Sequence, residues 1–90
     1  MSAAENPTYN HKRITSTSLI KNGPGVSGGF LVAASSSGTI TLYDSTDNSQ
    51  GLMVNAVPLT AGQWYPFPGQ FTRGLYAVIG GTADISYFYN

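Results

Sequence analysis

Thr39-Ile40-Thr41-Leu42-Tyr43 decides the fold class of this chain. Hydroxyl and aliphatic side chains alternate there at a period of two, which puts Ile40 and Leu42 on one face of an extended strand and Thr39, Thr41 and Tyr43 on the other. Further strands are predicted on both sides of it. Arg13 to Lys21 is rich in Thr and Ser and closes on Leu19-Ile20; Gly28 to Ala34 holds Phe30, Leu31 and Val32; Met53 to Leu59 holds Val54, Ala56 and Val57. A shorter strand is expected at Gln63 to Phe67, then Gly74 to Ile79 and Asp84 to Tyr89, where Ile85, Tyr87 and Tyr89 alternate with Ser86 and Phe88. Pro66 and Pro68 confine the Gln63 to Phe67 strand to a sheet edge, and Pro58 similarly limits the strand before it, because proline cannot donate to a ladder.

Between these runs stand Asn22-Gly23-Pro24-Gly25, Ser35-Ser36-Ser37-Gly38, Asp44 to Gly51, Ala61-Gly62, Pro68-Gly69 and Gly80-Gly81. Each supplies positive φ, a fixed φ or a side chain that caps its own backbone, so each reads as a turn. No stretch has helical periodicity over three turns, and there is no useful internal repeat. The fold class expected is all-β: a small antiparallel β-sandwich or jelly-roll-like barrel of about seven to eight strands with a flexible N-terminal arm.

The arm is Met1 to Arg13, whose one large apolar side chain beyond Met1 is Tyr9; residues 14–90 are expected to form a single β-sandwich domain. Glu5 against Lys12, Arg13 and Lys21 gives the first 21 residues a charge of +2; Asp44, Asp47 and Asp84 against Arg73 gives the remainder −2. That asymmetry favours contacts between the arm and a neighbouring subunit.

Composition narrows the function. Only 9% of the 90 residues are charged, where soluble domains average about 25%, and the net charge is zero. A surface of Ser, Thr, Asn, Gly and Tyr lacks the repulsion that keeps small proteins apart, which reads as a surface built to be covered. With no Cys, neither disulfides nor thiolate metal sites reinforce so small a core, and oligomerisation is the support left. The polar start has no apolar signal region, and Gly29 to Ala34, the longest strongly apolar run, is far short of a bilayer span, so neither ordinary secretion nor membrane insertion is expected.

The constellations of catalysis are missing, and the chain is read as no enzyme, with no catalytic residue, no metal and no cofactor. The single histidine, His11, falls in the arm, which cannot hold it in place for acid–base work. Asp44-Ser45-Thr46-Asp47-Asn48-Ser49 is rich in oxygen and lacks the spacing of an EF-hand loop; it reads as an Asx- and Ser-capped hairpin loop. Gly23, Gly25, Gly28 and Gly29 lack the Lys-Ser/Thr of a phosphate loop. Lys12, Arg13 and Lys21 alone make no nucleic-acid footprint.

One segment invites binding. Gln63-Trp64-Tyr65-Pro66-Phe67-Pro68, with Phe71 beyond it, concentrates rigid aromatic side chains, as protein interfaces and sugar platforms both do; Trp64 and Phe67 equally suit the plug at one end of a sandwich. The interface residues expected are Tyr9, Lys12 and Arg13 as arm contacts, and Trp64, Tyr65 and Phe67 as apolar anchors.

Three stretches carry a resemblance: Gly29-Phe30-Leu31-Val32-Ala33-Ala34-Ser35-Ser36-Ser37-Gly38-Thr39-Ile40-Thr41-Leu42-Tyr43-Asp44, Pro58-Leu59-Thr60-Ala61-Gly62-Gln63-Trp64-Tyr65-Pro66-Phe67-Pro68, and Gly74-Leu75-Tyr76 through Gly80-Gly81-Thr82-Ala83-Asp84-Ile85. Over Thr15 to Tyr89 the chain resembles short proteins of tailed bacteriophages, including cyanophages, encoded among virion genes; the arm is unmatched. The resemblance implies a β-sandwich virion component, a decoration (cement) protein on the capsid exterior. Its expected partners are the major capsid protein and copies of itself, as a trimer, with no nucleic acid and no membrane. The alternatives are a tail, neck or fibre-associated β module of the virion, and a carbohydrate-binding module in which Trp64 and Tyr65 stack on a sugar ring.

Overall fold

The computed structural model describes residues 10–90, and Tyr9 with the rest of 1–9 lies outside them. Six antiparallel strands form: β1 (Asn10–Ile14), β2 (Ser18–Asn22), β3 (Gly25–Tyr43), β4 (Leu52–Pro58), β5 (Trp64–Phe71) and β6 (Gly74–Tyr89). β3 and β6 pair along nearly their whole lengths, from Ser27 opposite Tyr89 to Tyr43 opposite Tyr76. β1 and β5 flank one end of this pair, while β2 and β4 flank the other.

The long strands cannot be straight. A flat strand of the 19 residues in β3 would run about 60 Å, whereas the longest dimension of the molecule is 40 Å. The bend lies where the β3–β6 register breaks, between Val32 and Ala34 and between Ser36 and Thr39. Ser37 (φ 54°) on β3 and Gly81 (φ 67°) on β6 take left-handed backbone side by side there, and a Cβ on Gly81 would collide with the Ser37 carbonyl. Each long strand therefore contributes to two layers. The first layer is β1, the end of β6, the start of β3 and β5; the second is β2, the start of β6, the end of β3 and β4. With β3 and β6 each counted as two segments, the order is that of a jelly roll.

The layers close over one core. Ile14, Phe30, Val32, Ile85 and Tyr87 come from the first layer, and Ile20, Ile40, Leu42, Leu75 and Ala77 from the second. Ile40 and Leu42 face inward and Thr41 and Tyr43 turn away, as the alternation predicts. The all-β class holds, with the expected strands regrouped. Arg13 to Lys21 is two strands, divided at residues 15–17 where the chain crosses between layers. Ser35 to Gly38 and Gly80-Gly81, read as turns, are corners inside continuous strands. The Gln63 to Phe67 strand extends to Phe71 and, like β4, has β3 as its one partner among the described residues, so both proline-marked strands are edges. Of the predicted arm, residues 10–13 stand in β1 and pair with β6.

Candidate functional site

β5 sorts its aromatic residues by parity. Tyr65 lies opposite Phe30, whose side chain is buried, and Trp64 lies opposite Leu31, whose side chain is 41% exposed. Tyr65 therefore turns inward. Its ring stacks on Phe30 at 5.1 Å between centroids, and Phe30 stacks on Tyr87 at 5.4 Å, so three rings from three strands pile up inside the first layer. The Tyr65 hydroxyl accepts the Thr60 N–H at 2.8 Å and donates to the Pro58 carbonyl at 3.3 Å, which ties the β4–β5 connection to the layer. Tyr87 is fully buried and shares a 2.7 Å hydrogen bond with Ser27 Oγ. Burial pushes its phenol up to about 12, against the opposing pull of that hydrogen bond. Phe67 also packs partly buried against the core.

The outward face of the same layer carries a second set of rings. Across the strands, one row reads Arg13, Ser86, Leu31, Trp64 and the next reads His11, Phe88, Gly29, Pro66. Trp64 is 45% exposed and meets Phe88 at 5.8 Å with the planes tilted 57°; His11 meets Phe88 from the other side at 6.2 Å. Trp64 and Phe88 belong to strands separated by β3, and they meet across it beside Gly29 (φ 131°), where a Cβ would collide with the Tyr65 carbonyl. A ring row thus runs from β1 to β5, with Leu31 and Pro66 beside it. The described residues contain no pocket, so this site is a face. Its area is roughly 300 Å², from four strands about 4.8 Å apart and some five residues of about 3.3 Å along each.

Charge stands at one border of the face. Arg13 donates from Nε and Nη2 to the two carboxylate oxygens of Asp84 at 2.9 and 2.8 Å. The hydrogen bond from Arg13 holds the Asp84 carboxyl below its ordinary range and raises Arg13 in turn. Lys12 is exposed on β1 opposite Tyr87.

The interface residues expected from the sequence therefore do not form one patch. Trp64 is outward, Tyr65 and Phe67 are internal, Arg13 clamps β1 to β6, Lys12 lies on the edge strand, and Tyr9 is outside the described residues. Leu31, Phe88, His11 and Pro66 share the outward face with Trp64 and were not among the interface residues expected. The alternation of Phe30 and Val32 against Leu31, and of Tyr87 against Phe88, carried the signal; which strands lie side by side did not follow from it.

The loop after β3 uses its carboxylates internally. The Asp44 carboxylate accepts N–H bonds from Thr72 (2.9 and 3.0 Å), Arg73 (2.8 Å) and Gly74 (3.4 Å). Burial pushes the Asp44 pKa up, and the N–H bonds from Arg73, Thr72 and Gly74 together outweigh it, leaving the carboxyl below its usual range. Asp47 accepts from the Ser49 hydroxyl and N–H and from Ser45, which lowers its pKa as well. Among the described residues no three His, Cys, Asp or Glu side chains gather as a metal site. No helix is long and apolar enough to cross a membrane. The chain matches no protein-family model, no curated protein and no solved structure.

Proposed function

We propose that this protein is a structural component of a tailed-phage virion, a capsid decoration (cement) protein that binds the outside of the major capsid lattice as a homotrimer. The observation that carries this reading is the outward ring row of Trp64, Phe88 and His11, with Leu31, on a chain of zero net charge. An apolar face on an uncharged surface favours association over solution as a monomer.

Area sets the mode of attachment. Stable pairwise complexes bury about 800 Å² per partner, well above the roughly 300 Å² of this face. One copy alone binds weakly; several copies joined to one another and seated on a repeating lattice reinforce each attachment through effective concentration. Binding that favours the assembled shell then stabilises it by mass action. The geometry weighs against the sugar platform: Tyr65 faces the core, so Trp64 and Tyr65 offer no common stacking surface, and Trp64 is tilted against Phe88.

The test is the number of copies per purified particle, read by quantitative gel, together with the melting of capsids stripped of the protein and then resupplied with it. Hundreds of copies and a higher melting temperature on resupply are expected of a lattice protein, while about a dozen copies would move it to the tail or neck. Absence from particles overturns the reading.

A further inference from the structure

Four strands have a single partner among the described residues: β1 and β2 against β6, β4 and β5 against β3. Such edges are where a foreign strand can add, and three of the four are spoiled for it. On β5, Val32 N–H donates to the Gln63 carbonyl at 3.0 Å and the Gly62 N–H donates to the Val32 carbonyl at 2.7 Å, so the backbone of Val32, and of Phe30 two residues earlier, faces β5. Phe30 pairs with Tyr65; alternation then aims the backbone of Trp64, Pro66 and Pro68 outward, and two of those three have no N–H to offer. β4 ends in Pro58, holds Ala56 at φ 49° and slips register twice against β3. β2 is bulged between Leu19 and Lys21.

β1 has none of these devices. Its five residues pair one to one with β6, from Asn10 opposite Tyr89 to Ile14 opposite Ile85. The direction of its open bonds follows from the far side of β6, where Asn90 and Val26 exchange N–H bonds of 2.7 and 2.8 Å. Asn90 therefore faces β3, and alternation turns Tyr89, Tyr87 and Ile85 toward β1. Asn10, Lys12 and Ile14 bond inward to β6, which leaves His11 and Arg13 presenting N–H and C=O groups on the side that has no partner among the described residues. The charge this edge offers a partner is that of Lys12, which is exposed; Arg13 beside it points to the other face of the strand and already holds the Asp84 carboxylate.

We propose that β1 is a docking edge to which an extended, carboxylate-bearing peptide segment of the partner adds as a further strand of the first layer. Main-chain bonds to His11 and Arg13 supply the affinity, and an acidic side chain beside Lys12 sets the choice of partner. A second copy of β1 is disfavoured, since it would bring Lys12 close to its own counterpart. Nucleic acid is disfavoured as well, because Lys12, beside an Arg13 already paired with Asp84, neutralises few phosphates and a phosphate backbone cannot continue a ladder.

The inference rests on the assembly reading and names the partner chemistry within it. Its test is backbone hydrogen exchange on the full chain, followed by NMR at low salt, with a short synthetic peptide alternating Glu and Val as the probe and its Lys–Val counterpart as the control. The Glu–Val peptide is expected to slow the His11 and Arg13 amides selectively, and the Lys–Val peptide to leave them unchanged. Lys12→Glu is expected to weaken the Glu–Val peptide on the order of tenfold. His11→Pro, which removes an outward N–H and no β1–β6 bond, is expected to abolish protection in a protein whose spectrum stays folded. The proposal is overturned if these amides are already protected in the free protein, if both peptides protect them equally, or if a DNA oligomer binds more tightly than the acidic peptide. Hundreds of copies per particle with unprotected β1 amides would remove the docking edge and leave the decoration role in place. Absence from particles with specific protection by the Glu–Val peptide would do the reverse.

Discussion

The two layers share their two central strands and differ in what they hide and display. The first stacks Tyr65, Phe30 and Tyr87 inside and sets Trp64, Phe88 and His11 outside, so aromatic rings occupy both of its faces. The second packs Ile20, Ile40, Leu42, Leu75 and Ala77 inside, all aliphatic, and turns Thr41, Tyr43, Tyr76 and Val78 away. Its outer rings, Tyr43 and Tyr76, face each other across one strand pair at 6.5 Å. A ring on the inner face removes apolar area from water and stabilises the fold, while a ring on the outer face still leaves area for a partner to cover. The first layer therefore does both jobs, and substitutions on its paired strands β3 and β5 should separate them.

Phe30→Ala is the largest expected effect. It removes the middle ring of the inner stack and leaves a cavity between Tyr65 and Tyr87, at a cost of about 3–5 kcal/mol. Small domains hold about 5–15 kcal/mol in total, so the variant should unfold at markedly lower urea in a denaturation curve. Equal tolerance of Phe30→Ala and Trp64→Ala in that curve would erase the distinction between inner and outer rings.

Asp44→Ala comes next, at the end of β3 in the second layer, where the carboxylate holds the turn between β5 and β6. Losing it removes the charge-assisted bonds to the N–H groups of Thr72 and Arg73, at a cost of about 2 kcal/mol. The pH dependence has a definite sign. Because the folded carboxyl lies below its unfolded value of about 3.9, its stabilisation is fully present above that value and is lost as the pH falls through the folded one. Thermal melts from neutral pH into acid should therefore fall less steeply for Asp44→Ala than for the parent, with Asp47 and Asp84 leaving a residual slope of the same sign.

Tyr87→Phe tests the polar point of the inner stack and should cost about 1–2 kcal/mol, since it leaves Ser27 Oγ buried without its partner. Adding Ser27→Ala should recover part of the loss, because the stranded hydroxyl goes too. An ultraviolet titration checks the same contact: one tyrosine should ionise only near 12. The unfolded phenol ionises first, near 10, so this group's contribution is present below that value and declines as the pH rises toward 12.

The sequence made the inner face legible and left the outer one half read. Alternation at Thr39 to Tyr43 and at Ile85 to Tyr89 is a local property, and it assigned Ile40, Leu42, Ile85 and Tyr87 to one side correctly. Proline chemistry is also local, and Pro66 and Pro58 identified both edge strands on β3. Ser35 to Gly38 and Gly80-Gly81 misled because positive φ permits a reversal or a bend equally. What decided for a bend is that the two stretches lie side by side, with Ser36 opposite Thr82 and Thr39 opposite Gly80. Arg13 to Lys21 looked continuous because Thr and Ser suit extended backbone whether or not the chain changes layer. The contact of Trp64 with Phe88 over Gly29 joins residues far apart in sequence, and no local pattern announces it.

Trp64→Ser has the smallest expected effect on stability and sharpens the comparison most. The indole is 45% exposed, so its replacement removes one side of an outer ring contact and little of the core, and should cost less than about 1 kcal/mol. The same substitution takes the largest ring from a face of roughly 300 Å², too small to bind through area alone and therefore dependent on one or two apolar anchors. Urea midpoints near that of the parent, together with reduced occupancy of purified capsids in a pelleting assay, are the joint outcome expected. A parent-like occupancy would show that the ring row is merely surface, and attachment would then have to run through another part of the molecule, with the basic edge at His11 to Arg13 the next to be changed.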